Sequence, residues 1–341
     1  MNTEKIIINS ENDRKGIERV AEILKKGGIA AIPTETVYGL AANALNEKAV
    51  AKIFKAKGRP QDNPLIVHIS ELSMLPPLVK EIPSGAKRLA ENFWPGPLTI
   101  IMPRSEIVPA SVSAGLDTVA VRFPVHPIAR AIISAAGLPL AAPSANLSGS
   151  PSPTTAKHCI KDLDGKVDAI VISGDCSVGV ESTVISLIGK PRLLRPGAVT
   201  AEQLEGILGE VEIDKAVTAK PEEGKPVASP GMKYKHYAPK TQVILIEADD
   251  EDYINYVNSH KDDGVFALCF SEEKERLCVP AVCYGEESDE LSQAAGLFTA
   301  LRRLDELGAK TAFAHSPKRT GVGLAVFNRL IRAAAFREIK L

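Results

Sequence analysis

Ile17-Glu-Arg-Val20-Ala-Glu-Ile23-Leu24-Lys-Lys-Gly27-Gly28-Ile29-Ala-Ala-Ile32-Pro33 shows in one stretch how this chain is built. Ile17, Val20, Ile23 and Leu24 recur at helical spacing and share one face. Gly27-Gly28 stops that helix, and residues 29–32 form a short apolar strand that ends at Pro33. The same exchange repeats downstream. Asn46 can cap a helix whose buried face is Ala49, Val50, Ile53 and Phe54. Residues 65–69, 98–102, 119–123, 169–173 and 183–187 read as strands. The segments around 84–94, 127–136 and 154–163 read as helices. Short strands mixed with helices and joined by Pro-rich turns predict an α/β domain with one sizeable twisted sheet.

From residue 210 to 240 the periodicity fades and Pro, Lys, Glu and Gly dominate, as in an interdomain linker. Within it, Ser229-Pro-Gly-Met-Lys-Tyr234-Lys-His-Tyr-Ala-Pro239 carries tyrosines, lysines and a histidine, side chains that loops often bring to a site. A second α/β pattern follows. Residues 243–246, 265–270, 281–284 and 311–314 read as strands, and 291–307 and 324–335 as helices. This predicts a smaller Rossmann-like domain. It lacks a GxGxxG turn, so no dinucleotide site is expected in it. The expected division is a catalytic domain over 1–209, a linker over 210–240 and a C-terminal domain over 241–341.

The 341 residues are enough for two cores. With 45% apolar and 24% charged residues, ordinary globular burial is possible throughout. A formal net charge of −1 excludes a strongly basic chain that coats nucleic acid, although a local basic cleft is compatible with it. Five cysteines without a CxxC pair fit reduced thiols in a cytoplasmic protein. No apolar run approaches the ~20 residues of a membrane span, so a soluble cytoplasmic protein is expected.

The chain has no GxxxxGK[ST] loop, no GxSxG elbow and no HExxH. The chemistry therefore has to be sought in charge and placement. Lys55-Ala-Lys57-Gly58-Arg59-Pro60-Gln-Asp-Asn63-Pro64 puts cations at a helix end. They either satisfy the helix dipole or form a polyanion site, with Arg as a fork and Lys as a point charge. Ala142-Pro-Ser144-Ala-Asn146-Leu-Ser148-Gly149 and Thr34-Glu35-Thr36-Val-Tyr38-Gly39 are strand exits rich in donors and acceptors. Arg122 and Arg195 interrupt apolar strands and need either a structural carboxylate or a bound anion. By alternation, His68 shares a face with Ile66 and Ser70, and such a residue is more often satisfied in a core than catalytic.

Taken in order, PTETVYGL (33–40), FKAKGRPQDNPLIVHI (54–69), WPGPLTI (94–100), GLDTVAVRFP (115–124), APSANLSG (142–149), PSPT (151–154), GVESTVI (179–185), LLRPG (193–197) and SPGMKYKHYAP (229–239) resemble the Sua5/YrdC/YwlC family in its long Sua5 form. GLAVFNRL (323–330) adds to the match. The resemblance implies an N-terminal YrdC-like open twisted α/β sheet with a basic concavity and a smaller Rossmann-like domain. It also implies ATP-dependent synthesis of L-threonylcarbamoyl-AMP from L-threonine and bicarbonate or CO2, with release of pyrophosphate. The product serves formation of N6-threonylcarbamoyladenosine at position 37 of ANN-decoding tRNAs, through a downstream threonylcarbamoyl-transferase machinery of the TsaD/Kae1 type.

Carried over position by position, the family's phosphate-binding set falls on Lys57, Arg59, Ser144 and Asn146, with Lys57 and Arg59 at the catalytic centre. Asn63, Thr118, Ser152 and Arg195 match positions near the nucleotide, and Tyr234 matches the residue that folds over the occupied site. Thr36, His68, Arg122, Ala142 and Ser182 match positions around L-threonine. Mg2+ is expected with ATP, and no metal-ligand set is expected in the chain. Ala41, where the family pattern has Gly, and Ser173-Gly174-Asp175 depart from the pattern without touching these positions. The alternative from another class is a double-stranded RNA-binding or ribosome-maturation module that uses the same basic concavity.

Overall fold

The computed structural model describes residues 2–220 and 237–341, and its strands fall into two sheets. The first is a mixed sheet of eleven strands. In space they run Glu4–Ile7, Ala169–Ile172, Ala30–Ile32, Gly39–Asn43, Leu140–Ala141, Ile66–His68, Thr118–Arg122, Leu98–Pro103, Thr183–Ser186, Arg192–Arg195 and Glu212–Ile213.

Local chemistry sets the helices that pack on it. Asp13 accepts a hydrogen bond from Gly16 N and starts helix Arg14–Lys25, which buries Ile17, Val20 and Leu24 and leaves Ile23 partly buried. Asn46 does the same for helix Glu47–Lys57 through Ala49 N. Its buried face is Ala49, Val50, Ile53 and Phe54, as the spacing predicts, with Lys57 added at the last turn.

The two faces of the central strands have different fates. Leu65, Val67, Ile69, Ile100, Met102, Val119, Val121, Ile185 and Leu193 all enter the main core. Each such side chain contributes about 1.5–3 kcal/mol on burial. On the opposite face the strands around the cleft contribute a small apolar cluster of Ile66, Ile101, Ala120, Val184 and Leu194, and the strands beside them, with Leu140 and Ala142, join a larger cluster under helices Arg14–Lys25 and Pro127–Ala136. On that face the register lines up polar residues. His68 pairs with Arg122, Arg122 with Thr99, Thr99 with Val184 and Val184 with Arg195. Residues opposite one another on neighbouring strands point to the same side. His68, Arg122, Thr99 and Arg195 therefore form a row across one sheet face.

The second sheet is all parallel, in the order Ala281–Gly285, Val265–Phe270, Thr311–His315, Gln242–Glu247 and Glu338–Lys340. Both of its faces are covered, as parallel sheets require. Leu245 and Leu268 point into one apolar cluster, and Ile246, Ala267, Cys269 and Phe313 into the other. The fold is thus the expected large twisted α/β sheet plus a smaller Rossmann-like unit.

Strand Glu212–Ile213 pairs with Arg192 and Leu193 and carries the first sheet past residue 209. Two exposed residues cannot show alternation, so no strand is legible there in the sequence. Tyr234 and most of the Ser229–Pro239 motif lie outside the described residues. Among the described residues, the five cysteines are free, and no helix is long and apolar enough to cross a membrane.

Gly197, just after Arg195, permits a close backbone approach. A Cβ there would stand 2.4 Å from Thr183 N and 2.8 Å from Glu181 O. Gly197→Ala is expected to lose about 1–3 kcal/mol of stability, read as a lower urea midpoint at an unchanged slope. A wild-type midpoint would show that the backbone here can yield.

Candidate active site

An open cleft enclosing about 670 Å³ lies over the polar row. Thr36, Arg59, His68, Arg122, Ala142, Ser144, Asn146, Ser152, Ser182 and Arg195, all expected from the sequence, line it together. Segments distant in the chain supply them, and the sheet register brings them into one place.

Helix geometry places Arg59. Gly58 closes helix Glu47–Lys57 in the left-handed conformation at φ 61°, which glycine adopts without steric cost. The Arg59 N–H then returns to Phe54 O at 3.0 Å, the long bond of a Schellman-type C-cap. The chain turns, and the Arg59 guanidinium reaches the cleft, where its Nη2 donates to Asn63 O at 2.9 Å. Asn63 itself is fully buried, and among the described residues neither side-chain atom has a hydrogen-bond partner.

Lys57 stands one layer back. Its Nζ donates to Ser144 O at 2.5 Å, to Asn146 O at 2.6 Å and to Asn146 Oδ1 at 3.4 Å. Three acceptors use the three N–H groups of an ammonium. Lys57 thus clasps the turn that presents Ser144 and Asn146, and it is not itself among the lining residues. Burial, aided by the Arg59 charge, pulls its pKa down to about 7. The Asn146 amide is occupied as well, its Nδ2 donating to Leu147 O and Ser150 O.

Arg122 finds the structural carboxylate that an arginine in an apolar strand demands. Its Nη2 donates to Glu35 Oε1 at 2.6 Å and its Nη1 to Thr36 Oγ1 at 2.9 Å. Its Nε is buried and has no hydrogen-bond partner among the described residues. Despite burial, the adjacent guanidinium keeps Glu35 below the ordinary carboxylate range. His68 borders the same charge. Burial and Arg122 push its pKa down to about 3, so the ring is neutral. Nδ1 lies 3.2 Å from Ile66 O. A carbonyl can only accept, so that nitrogen carries the proton and Nε2 is left as an acceptor.

On the far wall, Arg195 donates from Nε to Ser182 O at 3.0 Å and from Nη2 to Ser182 Oγ at 3.1 Å. Ser182 Oγ also lies 2.8 Å from Thr99 Oγ1. Glu181 joins this wall, with Ser152 Oγ donating to its Oε1. Tyr237 lines the cleft too, in the positive-φ conformation, with its ring 5.3 Å from that of Phe298. Thr118 sits at the opposite end of its strand from Arg122, about 13 Å along it, and does not line the cleft.

Glu35, Thr99, Glu181 and Tyr237 had no assigned role in the sequence reading, although all four fall inside the quoted motifs. The available signal was the rule that a buried arginine needs a carboxylate. It shows that a partner must exist without showing which glutamate it is.

Residues 22–197 match the Sua5/YciO/YrdC family model, described as "Telomere recombination". Residues 199–335 match the model described as "Threonylcarbamoyl-AMP synthase, C-terminal domain". A threonylcarbamoyl-AMP synthase of Pyrococcus abyssi is 45% identical over 95% of this chain and 96% of its own length. One of Bacillus subtilis is 46% identical over 97% and 96%. The crystal structure of P. abyssi Sua5 complexed with L-threonine superposes with a TM-score of 0.92 at 42% identity, covering 99% of this chain and 100% of that one. With both family models matched in order and relatives this similar over nearly the whole length, the chain belongs to the Sua5/YrdC/YwlC family, in its long two-domain Sua5 form.

Proposed function

We propose that this chain makes L-threonylcarbamoyl-AMP from L-threonine, bicarbonate or CO2, and ATP, releasing pyrophosphate. The observation that carries the reading is one cleft lined, among the described residues, by three guanidinium groups against a single carboxylate, with a neutral histidine beside them. Such a site neutralises and orients anions. The comparisons support this reading, and not the alternative of an RNA-binding module.

L-threonine belongs on the Thr36, His68, Arg122, Ala142 and Ser182 side. Arg122 Nε is a donor awaiting a carboxylate oxygen, and neutral His68 offers Nε2 to a hydroxyl or amine proton. The triphosphate belongs on the Arg59, Ser144, Asn146 and Arg195 side, with the sugar or base toward Ser152. Lys57 contributes from behind, by holding the Ser144–Asn146 turn. Asn63 supports Arg59, and Thr118 takes no part in any step.

The threonine amine and bicarbonate form a carbamate with loss of water. A carbamate oxygen attacks the α-phosphorus, the bond to the bridging oxygen breaks, and pyrophosphate leaves with that electron pair. Both reactants are anions. The guanidinium groups offset their repulsion and the charge that develops on the leaving group. Holding the two in line supplies several kcal/mol of the barrier. No covalent nucleophile is required.

Among the described lining residues the one carboxylate is Glu181, and both its oxygens are engaged. Mg2+ would enter the cleft with the substrate, as MgATP. The product would pass to a threonylcarbamoyl-transferase acting on tRNA. On this reading the first sheet and its helices are the catalytic domain, and residues beyond 241 form a separate unit packed against it.

Pyrophosphate release from ATP is expected to require both L-threonine and bicarbonate, and turnover without threonine would sink the reading. Arg59→Ala and Arg195→Ala should each lower kcat/KM by about 10²-fold, or ~3 kcal/mol of transition-state stabilisation.

Lys57 adds a pH dependence. Between pH 7 and 10 the folded chain holds a neutral Lys57 while the unfolded chain keeps the proton. Unfolding then takes up a proton, and stability rises with pH by at most about 1.4 kcal/mol per unit. Urea titrations at pH 7, 8 and 9 should show this rise in wild type and its loss in Lys57→Met. Equal slopes would show that the clasped ammonium stays charged.

A further inference from the structure

The second domain reaches the cleft wall through a buried arginine. Arg329, on helix Gly323–Ala333, is fully buried. Its Nε donates to Glu181 Oε2 at 2.9 Å and its Nη2 to Glu181 O at 3.3 Å. Its Nη1 donates to Pro196 O at 2.8 Å and to Asn328 Oδ1 at 2.9 Å. Two neighbours on the same helix hold its base: Asn328 Nδ2 donates to Val217 O at 2.6 Å and Arg332 Nη2 to Ala216 O at 2.6 Å. A second arginine, Arg302, forks onto Asp162 at 3.1 and 2.7 Å and reaches Pro151 O at 2.6 Å.

Mere adhesion between domains does not need this. Apolar packing of equal volume holds two surfaces at least as well as a buried ion pair, because desolvating two charges is costly. What the pair does achieve is geometry. Glu181 lines the cleft, and its other oxygen takes the Ser152 hydroxyl proton. A serine has one donor. With that donor spent on Glu181, Ser152 can offer the cleft only lone pairs, which match a hydroxyl or amino group and not a phosphate oxygen.

We infer that the second domain is part of the nucleotide-binding machinery: Arg329 is a positioning residue that, through Glu181, sets the place and the acceptor polarity of Ser152 for a donor group on the nucleotide's sugar or base. Arg302 secures the same wall at Pro151, next in sequence to Ser152. Among the described residues, the side-chain hydrogen bonds of Arg122 and His68 run to Glu35, Thr36 and Ile66, all in the first domain. The inference rests on the proposed nucleotide occupancy of the cleft.

The test compares full-length wild type with Arg329→Met, Arg329→Lys and the charge-neutral double variant E181Q/R329M. Steady-state kinetics would give KM for ATP, KM for L-threonine and kcat. Calorimetry would give the affinity for a non-hydrolysable ATP analogue, and melting curves the stability. Arg329→Met is expected to raise KM for ATP and weaken the analogue at least ten-fold, with KM for L-threonine within about two-fold of wild type. Arg329→Lys keeps the charge but not the fork, and should recover the melting temperature more fully than the ATP affinity.

Arg329→Met leaves a buried carboxylate and is the variant most prone to misfold. E181Q/R329M removes both charges, so it should melt near wild type while still binding the analogue weakly. Wild-type analogue affinity in the folded double variant would overturn the inference and leave Arg329 a purely structural residue. Equal losses for ATP and L-threonine would overturn its selectivity for the nucleotide wall. A wild type that binds the analogue but shows no threonine-dependent turnover would fail the proposed function, and the binding series would still decide the role of Arg329.

Discussion

A guanidinium inside a protein has to be compensated, because removing the charge from water costs several kcal/mol. Arg122 and Arg195 stand on the inner face of a sheet, side by side with His68 and Thr99 in one register row. Much of the surrounding structure answers to that placement. Glu35 balances Arg122, the Ser182 carbonyl and hydroxyl take Arg195, and beside the polar row the strands keep only a small apolar cluster on that face. Helices Glu47–Lys57, Ser84–Phe93 and Ala201–Leu208 pack on the other face, while helices Arg14–Lys25 and Pro127–Ala136 cover the cleft's own face over the neighbouring strands. The cleft therefore occupies the part of that face that its own charges keep from closing over with apolar core.

The compensation is incomplete in a useful way. Among the described residues, the buried Arg122 Nε has no hydrogen-bond partner, and neither end of the Asn63 amide has one. Buried orphan groups are costly, and a ligand that satisfies them recovers that cost on binding. Lys57 is the converse case. All three of its donors are filled by the turn it holds, so its contribution is to hold Ser144 and Asn146 in place. Placement of this kind suits a reaction that joins two anions, where alignment and field matter more than a reactive side chain.

The same demand explains the join between the domains. Glu181 is as deeply buried as the arginines around it, and Arg329 and Arg195 hold its carboxyl below the ordinary range against the opposing effect of burial. One of those two cations comes from the second domain. The first domain alone would present Glu181 with half of its ionic partners, so the two units are coupled through charge as well as through apolar contact.

Much of this was legible in the chain itself. The 3.6-residue spacing of Ile17, Val20 and Leu24, and of Ala49, Val50, Ile53 and Phe54, fixed two helices, and their caps Asp13 and Asn46 lie in local sequence. Alternation placed His68 on the face opposite Val67 and Ile69, where the structure has it. The ordered motifs marked ten residues that line the cleft. Local sequence could not show that Lys57 stands behind the wall rather than on it, that Thr118 lies a strand's length from Arg122, or that Glu35 and Glu181 are the carboxylates the arginines require. It also could not reveal Arg329, which is 148 residues from its partner. Helix periodicity and capping are set by neighbours a few residues apart, so the sequence by itself determines them. Which charge meets which depends on sheet register and domain packing, which bring distant residues to within 3 Å, and only the tertiary structure decides that.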